Sequence, residues 1–276
     1  MRKLASILPV AALAVALIST MVMGTGCQKL QARDQLNKGV TAFKNAQYPE
    51  SVEHFKTAVE LDPNYPMARL YLAMAYLQQY IPGADSDDNN KMAKAAYDQF
   101  NEVLKLDPKN TLAIQSIASL YLYQKKWTEA REWYQRLINV DPNNTIAYYS
   151  LGFIAWSEWY PEYGKTRANL GMKLEDPGPI KDKKAKEDLK ERFGKVIDDG
   201  LTALDKALAI DKEYDDAMAY ENLLIRERAD LADNKEDYEK QIAIADSWVA
   251  KALETKKIKA EKKSKSGGGI TAEPSK

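Results

Sequence analysis

The sequence predicts an all-α protein built from about five stacked helical hairpins, and three observations carry the prediction. Four segments repeat one another: AVELDPNYPMA (58–68), VLKLDPKNTLA (103–113), LINVDPNNTIA (137–147) and ALAIDKEYDDA (207–217). Their spacing is one unit with insertions. Pro108 to Pro142 is 34 residues, Pro63 to Pro108 is longer by 11, and Asp141 to Asp211 is longer by 36. Self-similarity at such a period is the signature of stacked units that cannot bury an apolar face alone. Within a unit the apolar residues recur at helical steps.

The third unit shows the periodicity best. Leu112, Ile114, Ile117, Ala118, Tyr121 and Leu122 follow one another at three- and four-residue steps, and after Lys125-Lys126-Trp127 a second run gives Ala130, Trp133, Tyr134, Leu137 and Ile138. Each unit therefore reads as two helices closed by Asp-Pro, because proline cannot continue the preceding helix and suits the first turn of the next.

This pattern resembles the tetratricopeptide repeat (TPR) family, in which Gly or Ala stands at unit position 8, Ala at 20, an aromatic at 24, Ala at 27 and Pro at 32. Unit one (32–65) has Gly39, Ser51, Phe55, Ala58 and Pro63 there; unit two (66–110) has Ala73, Ala96, Phe100, Val103 and Pro108. Unit three (111–144) has Ala118, Ala130, Tyr134, Leu137 and Pro142, and unit four (145–214) has Gly152, Gly200, Leu204, Ala207 and Lys212. A fifth hairpin (215–255) carries Ala245, Val249 and Ala252 at the second-helix places, with no terminal Pro. The resemblance implies a TPR solenoid, a right-handed superhelix, over residues 32–255, with insertions in the second, fourth and fifth repeats. Those in units two and four are YIPGADSDDNN (80–90) and the long stretch 159–193.

The charge balance frames this array. Forty Lys and Arg oppose 40 Asp and Glu, but residues 1–26 carry +2 and residues 256–276 carry +5, which leaves −7 for the segment between them. An acidic body gives no electrostatic footprint for nucleic acid. The Lys-rich tail 256–276 is Gly/Ser-rich and polar, a composition that predicts disorder. At the other end a basic start and an uncharged run, Leu4 to Met23, form a secretory signal over 1–26. Gly24-Thr25-Gly26 before Cys27 resembles a bacterial lipobox, although Gly24 stands where such boxes usually have Leu. That resemblance implies a lipid on Cys27 and a short linker, 27–31. It places the protein in the cell envelope, on the periplasmic face of the outer membrane if the host is Gram-negative, since Gln28 replaces an inner-membrane Asp. An uncleaved membrane anchor is the other reading of the same run.

Chemistry has little to stand on. One Cys and one His, His54, supply no zinc or thiol constellation and no Ser/His/acid arrangement, and no cofactor or metal is expected. Asp85-x-Asp87-x-Asn89 imitates the start of a calcium loop, but Asn90 stands where Gly is required and Ala96 where the bidentate Glu belongs. The expectation is a non-enzymatic protein.

The aromatics are more informative, since 12 of 26 fall between Tyr121 and Tyr163. In TPR proteins, positions 2, 5, 9, 12 and 13 of the first helix line the concave face. The resemblance assigns these to Met67, Leu70, Met74 and Leu77 in unit two, and to Leu112, Leu122 and Tyr123 in unit three. In unit four they are Ile146, Tyr149, Phe153 and Trp156. The Lys and Asn clamp of some chaperone-binding relatives is missing, with Leu36 and Val40 in its place in unit one. Two functions follow: an envelope adaptor holding a partner polypeptide in an apolar groove, or a lipoprotein that captures a solute or glycan on Tyr149, Phe153, Trp156 and Trp159. The groove is either open or filled by an insertion, the last helices or a second copy.

Overall fold

The computed structural model describes the backbone of residues 8–266 and the side chains of residues 26–264. Residues 1–7 of the expected signal and 267–276 of the expected tail lie outside the described residues. The described chain is all α: α1 (Leu8–Lys44), α2 (Tyr48–Leu61), α3 (Pro66–Gln79), α4 (Asp87–Leu106), α5 (Thr111–Tyr123), α6 (Trp127–Val140), α7 (Thr145–Asn169), α8 (Lys183–Ile210), α9 (Asp215–Ala229) and α10 (Lys235–Ser266). Among the described residues no helix is long and apolar enough to cross a membrane.

The recurring Asp has a physical job at the end of each second helix. Asp62, Asp107, Asp141 and Asp211 are the C-caps of α2, α4, α6 and α8, and each donates its backbone N–H to the carbonyl four residues back. Their carboxylates then turn the chain by accepting the N–H two residues on, from Asn64, Lys109, Asn143 and Glu213 at 2.8 to 3.3 Å. In the third and fourth repeats the motif also caps the next helix. Asn110 and Asn144 accept the N–H of Ala113 and Ala147 at 3.0 Å, which satisfies a donor that a helix start leaves open. Between the two helices of a hairpin, small residues let the partner in. A Cβ on Gly39 would lie 2.4 Å from the Phe55 ring, and one on Gly152 2.4 Å from Leu204, the same pair of repeat positions in two different hairpins.

The chain forms two compact units, Met1–Lys125 and Lys126–Lys276. In the N-terminal unit α1 packs on α2, α2 on α3, α3 on α4 and α4 on α5. Its core gathers Leu36, Val52, Phe55, Ala68 and Leu72, with Phe100 and Ile114 also fully buried. In the C-terminal unit α7 packs on α6 and α8, α9 on α7 and α8, and α10 on α9, around Trp159, Ile197, Leu204 and Leu224. The boundary falls at Lys125, which takes a φ of 56° in the turn between α5 and α6, inside the third sequence repeat.

Three segments differ from what composition suggests. Residues 27–31, expected as a linker, belong to α1. Of the insertion 80–90, residues 80–86 form a loop and 87–90 open α4, and Asn89 staples the loop to the helix: its Oδ1 accepts the Ile81 N–H at 2.7 Å and its Nδ2 donates to the Ile81 and Ala84 carbonyls, so the last residue of the calcium-like motif is occupied in closing the loop. The Lys-rich tail is helical up to Ser266, because its lysines meet acids at the turn between α8 and α9. Lys259 pairs with Asp215 at 2.5 Å and Lys262 with Glu213 at 2.8 Å.

Candidate functional site

The residues expected to line the groove divide between the two units. In the N-terminal unit Met67 and Leu112, both at position 2 of a first helix, are 46% and 43% exposed, and Tyr123 is 48% exposed. Leu70, Met74 and Leu122 are half-buried, and Leu77 packs against Tyr80, Ala93 and Leu120. Position 2 repeats its exposure in the C-terminal unit, where Ile146 is 46% exposed. A single exposed apolar residue is unremarkable. The same register position left open in three successive first helices is a pattern.

The rest of the row in the C-terminal unit is covered. Tyr220 of α9 inserts its ring among Tyr149, Phe153 and Trp156, with centroids 5.7, 5.3 and 5.4 Å away. Tyr214 lies 5.0 Å from Tyr149, and Tyr160 stacks on Trp156 at 4.8 Å. Burial pushes the Tyr149 hydroxyl well above its ordinary value and the Tyr214 hydroxyl up to about 12. All three expected groove residues are half-buried, and Trp159, expected to offer a ring to a solute, is fully buried against Tyr163 and Phe193.

The same helix pair carries buried charge. Trp156 donates its indole N–H to Glu227 Oε1 at 3.1 Å, and Glu227 Oε2 has no hydrogen-bond partner. Burial raises the Glu227 carboxyl to about 7; the indoles of Trp156 and Trp159 pull the other way, and Asp230 adds to the rise. Six residues back on α9, burial and the nearby Asp205 raise Glu221 to about 8. Asp230 itself is raised by burial and pulled down by Arg167, with which it forms a buried ion pair. Tyr163 donates to the same carboxylate at 2.9 Å, while the Arg167 guanidinium also donates to the carbonyls of Lys173 and Asp176 at 2.6 and 2.5 Å. Arg167 thus ties the loop after α7 to the end of α9.

Neither Glu221 nor Glu227 is marked out by the sequence pattern. One signal was available: Tyr149, Phe153, Trp156, Tyr160, Tyr163 and Arg167 follow one another at four- and three-residue steps, a single stripe along α7 that ends in a cation. Single residues elsewhere have local roles. His54 Nδ1 lies 2.8 Å from Gln35 Oε1, joining α1 to α2, and Cys27 is an exposed free thiol.

Antiparallel hairpins with a small residue of one helix seated under a bulky residue of the other define an all-α helical-repeat protein, a TPR-type solenoid. Residues 36–111 match the tetratricopeptide repeat model and residues 118–157 the TPR repeat model, so both segments carry TPR repeats. No curated protein matches the chain. Among solved structures it is similar to the MamA protein, at 15% identity over 88% of this chain and 98% of that one, with a TM-score of 0.55. It is also similar to MamA 41-end from Desulfovibrio magneticus RS-1, at 17% identity over 82% and 96% of the two chains, with a TM-score of 0.55. At these identities the likeness concerns the fold.

Proposed function

We propose that the protein is a non-enzymatic adaptor, tethered to the cell envelope through a lipid on Cys27, that holds an apolar segment of a partner polypeptide on the open faces of its first helices. The observation that carries this reading is the exposure of Met67, Leu112 and Tyr123 in the N-terminal unit, large apolar side chains at groove positions of successive repeats. Exposed apolar surface of this kind costs free energy in water and is retained where a partner covers it. A repeat array offers an extended surface without a cofactor. The exposed thiol of Cys27 and the small residues before it support lipid attachment in the envelope.

Solute capture on Tyr149, Phe153 and Trp156 has less support, because Tyr220 already occupies the space between those rings.

The test is recovery of the lipid-anchored protein from its own envelope fraction, wild type against Met67→Ser/Leu112→Ser/Tyr123→Ser. The reading expects a defined envelope protein with the wild type and its loss from the triple variant, with an unchanged melting curve. An identical set of co-purifying proteins in both samples would refute it.

A further inference from the structure

Between α6 and α8, over a floor formed by α7, runs a cleft of about 770 Å³ that the adaptor reading does not use. Its volume is within the range of small-ligand sites. Residue size explains its form. Ala155, Gly200 and Ala203 line the bottom, and a Cβ on Gly200 would lie 2.5 Å from that of Ala155, so α7 and α8 meet closely there and the longer side chains stand above them. Ile138 of α6, Leu151 of α7 and Val196 of α8 give the cleft apolar sides, and Leu151 and Val196 are only half-buried. At about 1.5 Å per residue, the stretch of α8 from Lys195 to Lys206 makes a wall about 16 Å long.

The cations of the rim are not equivalent. Arg131 pairs with Glu158 at 2.5 Å, Arg192 with Glu162 at 2.7 Å and Asp188 at 3.0 Å, and Lys195 with Asp199 at 2.7 Å. Lys206 is exposed and has no hydrogen bond or ion pair among the described residues. The adjacent Asp205 lies on the α9 side of α8, near enough to Glu221 to raise its carboxyl. Tyr148 lines the Lys206 end, since the first turns of α7 run beside the last turns of α8, where Gly152 faces Leu204. The cleft is therefore polarised: paired charge at one end, an uncompensated cation at the other, and apolar surface between them.

We propose that this cleft binds a long-chain carboxylate, with its acyl chain along Leu151, Val196 and the small residues of the floor and its carboxylate on the Lys206 ammonium. Removal of the methylene groups from water supplies the affinity, and the ion pair sets the direction in which the chain lies. A single uncompensated cation matches a single negative charge. A short-chain carboxylate reaches the cation without filling the channel, and a long-chain ammonium fills the channel but meets a like charge. The site lies wholly in the C-terminal unit and shares no residue with the Met67, Leu112 and Tyr123 surface, so either reading can fail without the other.

Calorimetric titration of the full chain at about pH 8 with decanoate, butyrate and decyltrimethylammonium, each below its micelle-forming concentration, tests the assignment. One saturable site for decanoate is expected, with butyrate and decyltrimethylammonium at least about tenfold weaker. Lys206→Glu changes an exposed side chain and should weaken decanoate by about tenfold or more while leaving decyltrimethylammonium no weaker. Ala203→Phe fills the floor and should weaken decanoate by a similar factor; if that variant does not fold, Lys206→Glu carries the test. The proposal is overturned by the absence of saturable decanoate binding up to about 1 mM. It is equally overturned by equal affinity for butyrate or decyltrimethylammonium, or by a decanoate affinity unchanged in Lys206→Glu.

Discussion

The two units share one register and differ in what lies against it. Position 2 of the first helix is open in both, at Met67, Leu112 and Ile146, and the positions after it are half-buried in both; in the C-terminal unit alone those positions, Tyr149, Phe153 and Trp156, lie against a cluster of rings, Tyr220, Tyr214 and Tyr160. The difference comes from what packs on each first helix. Helix α9 brings a tyrosine to the face of α7, and the long insertion extends α7 by more than two turns, so that its stripe continues to Arg167 and the buried Asp230. A groove position in a repeat is therefore a place on a helix, and the next helix decides whether it becomes a binding surface or a core. The C-terminal unit has turned its row inward and gained a charged, aromatic interior.

The strongest way to break this contrast is to remove one partner of the buried pair. Asp230→Ala leaves the Arg167 guanidinium buried without its carboxylate, and the C-terminal unit should lose about 3 to 5 kcal/mol of stability in denaturant unfolding. Trp156→Ala deletes the stacked ring and the donor to Glu227 at once. Because the ring is half-buried, the loss should fall near the lower end of the usual range, about 3 kcal/mol. A Trp156→Ala protein that melts like wild type would show that α9 does not depend on this face.

The pH dependence of the same unit sharpens the comparison. Glu221 and Glu227 are raised in the fold from an ordinary value of 4.5 to about 8 and about 7. The folded state therefore binds protons that the unfolded chain has released. The stability tied to these groups is fully present below about pH 4.5 and is lost as pH rises through 7 to 8. Melting curves between about pH 4.5 and 8, the window between the ordinary carboxyl value and the raised ones, should show the C-terminal unit weakening as pH rises. Glu221→Gln and Glu227→Gln should each flatten that slope.

Smaller effects are expected on the outside. Met67→Ser and Leu112→Ser should change stability by no more than about 0.5 kcal/mol. Lys259→Ala breaks a solvent-screened pair with Asp215 and should cost about 0.5 kcal/mol or less, seen mainly as faster amide exchange near the end of α10.

The helix pairing was legible in the sequence because its signals are local. Asp62, Asp107 and Asp141 announce helix ends through their own backbone turns, and Gly39 and Phe55, or Gly152 and Leu204, are paired by the repeat register. The covering of the aromatic row was not legible, since it depends on contacts between residues far apart in the chain, such as Trp156 with Glu227, 71 positions away. Glu227 was hidden for another reason. In RERAD it sits between Arg226 and Arg228 and reads as part of a solvated charged face, while the helix turns it alone toward the indoles. The tail misled in the opposite sense: Lys259 and Lys262 lower the hydropathy of 256–266, yet each meets an acid on the neighbouring turn.

Site-specific photo-crosslinking in intact cells addresses the contrast most directly, with a benzophenone side chain placed at Leu112 in one protein and at Phe153 in another. The account predicts a discrete adduct with a second protein from position 112, and only crosslinks within the chain from position 153. A partner adduct of equal yield from position 153, or none from position 112, would contradict it.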